Sequence, residues 1–123
     1  MVNALVVDDS AGQARATAAL LSRAGYRPVR TATDWAHCRS QLTTEPAALV
    51  VLDVHMGGQV SGDVMVAQLR RMPGCASSRF ILYSAMKQRD LEAVARRCGA
   101  DAFVAKGDDN AFLTTCTRLV PLR

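Results

Sequence analysis

The chain has 123 residues, a formal net charge of +4 at pH 7, 50% hydrophobic residues and 21% charged residues. This length suits one domain around a single packed core, and the composition is that of a globular protein, not of a disordered or fibrous one. No apolar run approaches the length of a transmembrane helix, and no charged-then-apolar leader precedes the first predicted strand. We therefore expect a cytoplasmic protein that does not bind membranes.

The positive charge comes mainly from arginine, because the only lysines are Lys87 and Lys106. The arginines are scattered along the chain, which is more typical of solvated helix faces than of a nucleic-acid-binding block, so we expect no direct nucleic-acid binding. The cysteines form no CxxC motif, which predicts free, half-buried thiols in a reducing compartment. They are Cys38, Cys75, Cys98 and Cys116.

Strand-like and helix-like segments alternate along the whole chain. Ser10 is expected to cap the first helix and Gly25 to end it, while Pro28 suits a strand at the edge of a sheet. Either Thr33 or Asp34 is expected to cap the second helix. In chain order, the predicted strands are residues 4–7, 27–30, 48–52, 80–83 and 102–105, and the predicted helices are residues 11–24, a segment ending near 44, 63–71, 89–98 and a last helix capped by Asp108 or Asp109.

This alternation predicts a three-layer α/β domain with a mainly parallel five-stranded sheet and helices on both faces. In the third helix, Val64, Met65, Val66 and Leu69 are expected to face the core. The last helix ends within a few residues of the end of the chain, so we expect residues 1–123 to form a single domain.

Polar side chains stand where four of the predicted strands end. Because the carboxyl ends of parallel strands meet at one edge of a sheet, we expect these side chains to converge in one crevice. Each has a structural explanation when taken singly, as a helix cap, a turn residue or a solvated strand end, so the functional argument rests on the whole set. The set consists of Asp8, Asp9, Asp53, Ser84 and Lys106.

These residue types suit phosphoryl transfer. Two carboxylates about 4 Å apart repel by about 4 kcal/mol at an effective dielectric of about 20, so three crowded acids must bind a proton or a cation. Mg²⁺ is suitable because it uses few hard oxygen ligands and keeps several waters. Asp53 is the candidate nucleophile that forms an acyl phosphate. Lys106 supplies a positive charge for the phosphoryl oxygens, and Ser84 supplies a hydroxyl donor.

The segments around these residues, and their spacing, resemble the receiver domain of bacterial two-component response regulators over essentially the whole chain. The segments are Val6-Val7-Asp8-Asp9-Ser10, Val51-Leu52-Asp53-Val54-His55-Met56, Leu82-Tyr83-Ser84-Ala85 and Phe103-Val104-Ala105-Lys106. The resemblance implies a flavodoxin-like sheet of order 2-1-3-4-5. It also implies that Asp53 accepts a phosphoryl group from a histidine kinase or a histidine phosphotransfer protein in a Mg²⁺-dependent reaction.

The same resemblance implies a metal site. Mg²⁺ would be held by the carboxylates of Asp9 and Asp53 and by the main-chain carbonyl of His55. Asp8 would contribute mostly through water.

The resemblance also implies a switch formed by Ser84 and Phe103, in which the hydroxyl moves toward the phosphoryl group and the ring turns inward. This would reshape a surface of the fourth helix, fifth strand and fifth helix that binds a downstream protein. We expect Leu91, Ala95, Phe103 and the arginines of those helices to form that surface.

The protein is expected to be a monomer or weak dimer. We expect it to be a signalling module with weak autophosphorylation and autodephosphorylation activity and not a true enzyme.

Three features depart from the family pattern. Lys106 is followed by Gly107 where the family usually has a proline in a cis peptide; a cis bond without proline costs about 3–4 kcal/mol, so we predict a trans bond or a rearranged loop. The loop at residues 56–62 is rich in glycine and is predicted to be mobile. His55 is either a solvent-facing residue whose carbonyl alone matters, or a side chain that controls access of water to the acyl phosphate.

Two other functions remain open. A receiver-like scaffold that works without phosphorylation would usually have lost an acid, the hydroxyl or the lysine, and all are present here. An aspartate-nucleophile phosphohydrolase of the haloacid-dehalogenase type would carry a DxD motif on the first strand, whereas Asp8 and Asp9 are adjacent.

Overall fold

The computed structural model describes residues 2–122, which form five strands, five α-helices and one short 3₁₀ turn. In chain order the elements are β1 (Ala4–Val7), α1 (Ala11–Ala24), β2 (Val29–Ala32), α2 (Trp35–Thr44), β3 (Leu49–Leu52), α3 (Gly62–Leu69), the 3₁₀ turn (Pro73–Cys75), β4 (Arg79–Ser84), α4 (Gln88–Cys98), β5 (Ala102–Ala105) and α5 (Asp109–Leu119).

The five strands form one parallel sheet in the order β2-β1-β3-β4-β5, which confirms the predicted flavodoxin-like topology. The register aligns the carboxyl ends of the strands: Val7 pairs with Leu52, and Ser84 pairs with Ala105. The next residues along β1, β3 and β5 are therefore brought to the same edge of the sheet. These residues are Asp8, Asp53 and Lys106.

Both faces of the sheet are buried, as a parallel sheet with continuous apolar strands requires. Alternate strand residues divide between two hydrophobic clusters. One cluster, which includes Val50 and Leu52, packs against α2, α3 and α4. The other, which includes Leu49 and Val51, packs against α1 and α5. All four residues of β3 are buried, so the site at its end rests on a strand that is enclosed on both faces.

Side-chain caps decide the two alternatives left open by the sequence. Asp34 caps α2 by accepting a hydrogen bond from the His37 N–H at 2.7 Å. Asp108 caps α5 by accepting from the Ala111 N–H at 3.0 Å. Ser10 caps α1 as predicted, through the Gln13 N–H at 3.2 Å.

The second strand was predicted at residues 27–30 but lies two residues later in the chain. Pairing starts at Val29, opposite Ala4, and continues to Ala32. Pro28 precedes the strand and contributes only its carbonyl, which accepts from the Ala4 N–H at 3.0 Å. The edge position of β2 was predicted correctly.

Three burial predictions were wrong. Val64 is 42% exposed, because α3 starts at Gly62 and turns Met65, Val66 and Leu69 toward the core at helical spacing. Leu91 and Ala95 are buried against the sheet and therefore cannot form a partner surface.

The third wrong burial prediction concerns the thiols. All four are free, but Cys38, Cys75 and Cys116 are fully buried and not half-buried; Cys98 alone is intermediate. No helix within residues 2–122 is long and apolar enough to cross a membrane.

Candidate functional site

Asp53 immediately follows β3 and is held from two sides. One carboxylate oxygen, Oδ1, accepts a hydrogen bond from the His55 N–H at 3.3 Å. The other, Oδ2, lies 3.1 Å from the Lys106 ammonium. The side chain is 13% exposed, so the carboxylate is desolvated enough to be oriented but remains reachable from solvent.

Lys106 follows β5 and links the ends of the strands. Its main-chain N–H donates to the Ser84 carbonyl at 2.8 Å, which continues the pairing of β4 and β5. Its ammonium donates to Asp8 Oδ2 and Asp53 Oδ2, both at 3.1 Å, and to Gln13 Oε1 at 2.6 Å. Burial lowers the pKa of Lys106, but the hydrogen bonds and charges of the two carboxylates outweigh this and raise its pKa above the ordinary value. The lysine therefore stays protonated.

The two adjacent acids lie in different environments. Asp8 is buried, and its Oδ1 accepts from the Ser10 N–H at 3.0 Å while its Oδ2 binds Lys106. Asp9 is exposed. Its carboxylate lies beside Gly57, where a Cβ would be 2.6 Å from Asp9 Oδ2 and where φ is +46°. Glycine at residue 57 thus leaves room for the Asp9 carboxylate near the loop that follows Asp53.

Ser84 and Phe103 lie on the neighbouring strands β4 and β5. Ser84 is fully buried, and its hydroxyl oxygen accepts from the Met86 N–H at 3.4 Å. Phe103 is half-buried and packs against the core cluster on the α4 side of the sheet. The ring also lines a surface depression of about 460 Å³ between α4 and α5, together with Gln88, Gly107 and Thr115.

No group of three or more His, Cys, Asp or Glu side chains within residues 2–122 is arranged to hold a metal ion. The carboxylates of Asp8 and Asp53 both bind the Lys106 ammonium. The oxygen donors still suit Mg²⁺, which uses one or two protein carboxylates and keeps several waters. Asp9 is the acid of this set that is exposed.

The predicted trans bond between Lys106 and Gly107 is confirmed, since the one cis peptide in the described part of the chain is Arg27–Pro28. Gly107 has φ of +120°, a left-handed value that glycine adopts without strain. His55 is exposed, so its side chain projects toward solvent beside Asp53. Its influence on the acyl phosphate stays a prediction.

The glycine-rich loop is anchored by a residue that the sequence analysis missed. Gln59 accepts a hydrogen bond from the Trp35 N–H at 3.2 Å and donates to the Thr33 carbonyl at 3.0 Å. These contacts connect the loop after β3 to the start of α2. The predicted mobility of this loop stays a prediction. No spacing rule in the sequence pointed to Gln59.

Gln13 was also missed, although the sequence carried a signal for it. Ser10-Ala11-Gly12-Gln13 has the S-x-x-Q pattern of a capping box, which marks Gln13 as a side chain with a specific local partner. That pattern predicts a bond back to the Ser10 N–H. The side chain instead accepts from Lys106.

Comparisons with known proteins agree with the fold. The chain resembles Vibrio cholerae chemotaxis protein CheY4, with a TM-score of 0.87 and 21% identity over 98% of this chain and 99% of that one. It resembles the response regulator TrrA of Thermotoga maritima in complex with Mg²⁺-BeF, with a TM-score of 0.84 and 23% identity over 98% of this chain and 100% of that one.

A response regulator from Burkholderia pseudomallei, solved with a phosphorylated aspartic acid, a calcium ion and citrate, has a TM-score of 0.80 and 26% identity over 93% of this chain and 65% of that one. No match was found among curated protein sequences. The sequence model of the response regulator receiver domain matches residues 4–117. The chain therefore belongs to the response regulator receiver domain family.

Proposed function

We propose that this receiver domain accepts a phosphoryl group on Asp53 from a histidine kinase or a histidine phosphotransfer protein. The observation that carries the proposal is the position of the Asp53 carboxylate, held between the Lys106 ammonium and the His55 N–H at the end of a buried central strand. A carboxylate that is oriented, partly desolvated and next to a fixed cation is a suitable nucleophile toward phosphorus.

In the transfer step, an Asp53 carboxylate oxygen forms a bond to phosphorus while the bond from phosphorus to the donor imidazole breaks. The electron pair of the broken bond stays on the imidazole nitrogen, and the ring leaves as neutral imidazole because it carries one proton on its other nitrogen. Lys106 stays protonated and compensates charge on the phosphoryl oxygens, which is the main task of a protein in phosphoryl transfer. In the slow dephosphorylation that follows, water attacks phosphorus, the bond from phosphorus to the Asp53 oxygen breaks, and inorganic phosphate and the Asp53 carboxylate are released.

Mg²⁺ belongs to this proposal as the cofactor. When bound, it neutralises negative charge on the phosphoryl oxygens. Asp9, Asp53 and the main-chain carbonyl of His55 would hold it. Asp8 would contribute mostly through water, since its own oxygens already accept from Ser10 and Lys106.

Phosphorylation would change the positions of the Ser84 and Phe103 side chains. The Ser84 hydroxyl would turn toward the phosphoryl group, and the Phe103 ring, on the neighbouring strand β5, would turn inward. The depression lined by Phe103, Gln88 and Thr115 between α4 and α5 would then change shape for a downstream protein. The module would act by switching this surface, with only weak phosphorylation and dephosphorylation activity of its own.

The test uses the purified chain with acetyl phosphate and Mg²⁺, followed by intact-mass measurement. The native chain should gain one phosphate, and Asp53→Asn should gain none. Asp90→Asn, which changes an exposed acid in the first turn of α4, is the matched control and should behave as the native chain. Equal phosphate incorporation in Asp53→Asn would overturn the proposal.

A further inference from the structure

The Lys106 ammonium has three N–H donors, and three oxygen acceptors surround it. Two are the carboxylates of Asp8 and Asp53, each at 3.1 Å. The third is the amide oxygen of Gln13, at 2.6 Å the shortest of the three. Gln13 has no part in the chemistry proposed above, yet it is bound to the cation on which that chemistry depends.

Gln13 belongs to a closed ring of hydrogen bonds with Asp8, Ser10 and Lys106. The Ser10 N–H donates to Asp8 Oδ1 at 3.0 Å, and the Gln13 N–H donates to the Ser10 hydroxyl oxygen at 3.2 Å. Lys106 closes the ring by donating to both Gln13 and Asp8. The ring connects the end of β1, the cap of α1 and the end of β5.

The ring explains why the capping box is incomplete. In a complete box the Gln13 side chain would accept from the Ser10 N–H. The Ser10 N–H donates to Asp8 Oδ1 instead, so the Gln13 amide oxygen is available to accept from Lys106. The first turn of α1 thereby supplies a hydrogen-bond acceptor for the Lys106 ammonium.

We infer that Gln13 is a positioning residue for Lys106, which it holds beside Asp53 both before and after phosphorylation. Asp53 is the one acceptor of Lys106 that lies outside the ring. When its carboxylate becomes an acyl phosphate, Lys106 exchanges a carboxylate oxygen for a phosphoryl oxygen while Asp8 and Gln13 retain their bonds. Glutamine supplies the third acceptor without adding a negative charge where a phosphate anion must enter. The inference rests on the proposed function.

The first measurement is independent of phosphorylation and follows solvent exchange of the Lys106 ammonium protons by NMR of ¹⁵N-lysine-labelled protein. The chain has only two lysines, so Lys87→Arg assigns the signals. Gln13→Met, which removes the acceptor at similar length, should speed exchange about fivefold, the factor carried by a typical hydrogen bond. Gln13→Glu, which keeps an acceptor oxygen, should restore slow exchange. Arg15→Met, an exposed change on the same helix, should leave exchange unchanged.

The second measurement is the rate of phosphate incorporation from acetyl phosphate with Mg²⁺. Gln13→Met should lower the maximal rate about fivefold and leave the half-saturating acetyl phosphate concentration little changed. Two results would overturn the inference. The first is a Gln13→Met variant whose ammonium exchange rate and maximal phosphorylation rate both lie within about twofold of the native values. The second is fast ammonium exchange in Gln13→Glu. A native chain that takes up no phosphate would instead refute the proposed function, and the exchange data alone would then decide whether Gln13 holds Lys106.

Discussion

Gly62 packs directly against the main chain of Asp53: a Cβ on residue 62 would overlap the Asp53 carbonyl oxygen and lie 2.8 Å from the carbonyl carbon. The Gly62 N–H also donates to the Val54 carbonyl at 2.9 Å. The first residue of α3 therefore fixes the path of the chain that leaves the proposed phosphoacceptor.

Gly62→Ala should destabilise the protein, because either the start of α3 or the Asp53 main chain must move. We expect the free energy of unfolding, measured by urea titration, to fall by about 2–3 kcal/mol. Gly12→Ala is the matched control on α1, where the nearest atom to an added Cβ is 4.0 Å away, and it should leave stability unchanged or raise it by up to about 1 kcal/mol. Native stability in Gly62→Ala would contradict the close packing.

Lys106→Met should slow phosphate incorporation from acetyl phosphate about 100-fold, because it removes the cation beside Asp53. The matched control is Lys87→Met, which changes the other lysine, an exposed residue at the start of α4. This control should retain the native rate. Similar rates in the two variants would show that the Lys106 ammonium has no special role in the transfer.

The free energy of unfolding should fall as the pH rises above about 9, because buried thiols lose their protons at a higher pH in the folded state than in the unfolded state. Burial, with the neighbouring Cys75 as a smaller cause, raises the pKa of Cys38 from 9.0 to about 12. Burial raises the pKa of Cys116 from 9.0 to about 12 as well. The folded state thus holds more protons than the unfolded state in this range. Each thiol contributes stability that is complete below pH 9 and is lost toward pH 12, with a slope of about 1.4 kcal/mol per pH unit.

Urea unfolding between about pH 8 and about pH 11 checks this slope. Cys38→Ser removes one titrating group, so its stability should decline less steeply than that of the native chain by about 1.4 kcal/mol per pH unit. Parallel pH profiles for the variant and the native chain would mean that Cys38 does not govern the decline.

Gln59→Ala should release the loop after Asp53 from the start of α2. The Trp35 N–H donates to the Gln59 side chain at 3.2 Å, so its amide exchange should accelerate in the variant. Amide hydrogen exchange followed by NMR measures this directly. Gln68→Ala, an exposed change on α3, is the control and should leave the Trp35 amide as it is in the native chain. Equal Trp35 exchange in the native chain and Gln59→Ala would show that this bond does not hold the loop.

The fold could be predicted from the sequence because its strongest signals are local and repeated. Apolar runs such as residues 49–52 mark buried strands, and Ser10 marks the start of α1, whereas the sequence located the caps of α2 and α5 only to within one residue. The strand ends of a parallel sheet meet at one edge, so the sequence alone places Asp8, Asp53 and Lys106 together. The bounds of the second strand were predicted less well, since the residues of an edge strand that pair are decided by its neighbour in the sheet.

The remaining features depend on side-chain choices that sequence spacing does not record. The bond between Gln13 and Lys106 spans 93 positions, and the Ser10 N–H, from which Gln13 would accept in a complete capping box, donates to Asp8 instead. The exposure of Val64 depends on where α3 begins. Leu91 and Ala95 were expected at a partner surface, but both lie on the apolar stripe of α4, and an apolar stripe at helical spacing indicates the face that packs on the core.

The most direct test of the central claim is the position of the phosphate after treatment with acetyl phosphate and Mg²⁺. Borohydride reduction converts an aspartyl phosphate to homoserine, and tandem mass spectrometry of the digested protein locates that residue. We predict conversion at Asp53 alone. Conversion at Asp8 or Asp9, a phosphate on His55, or no modification would contradict the account.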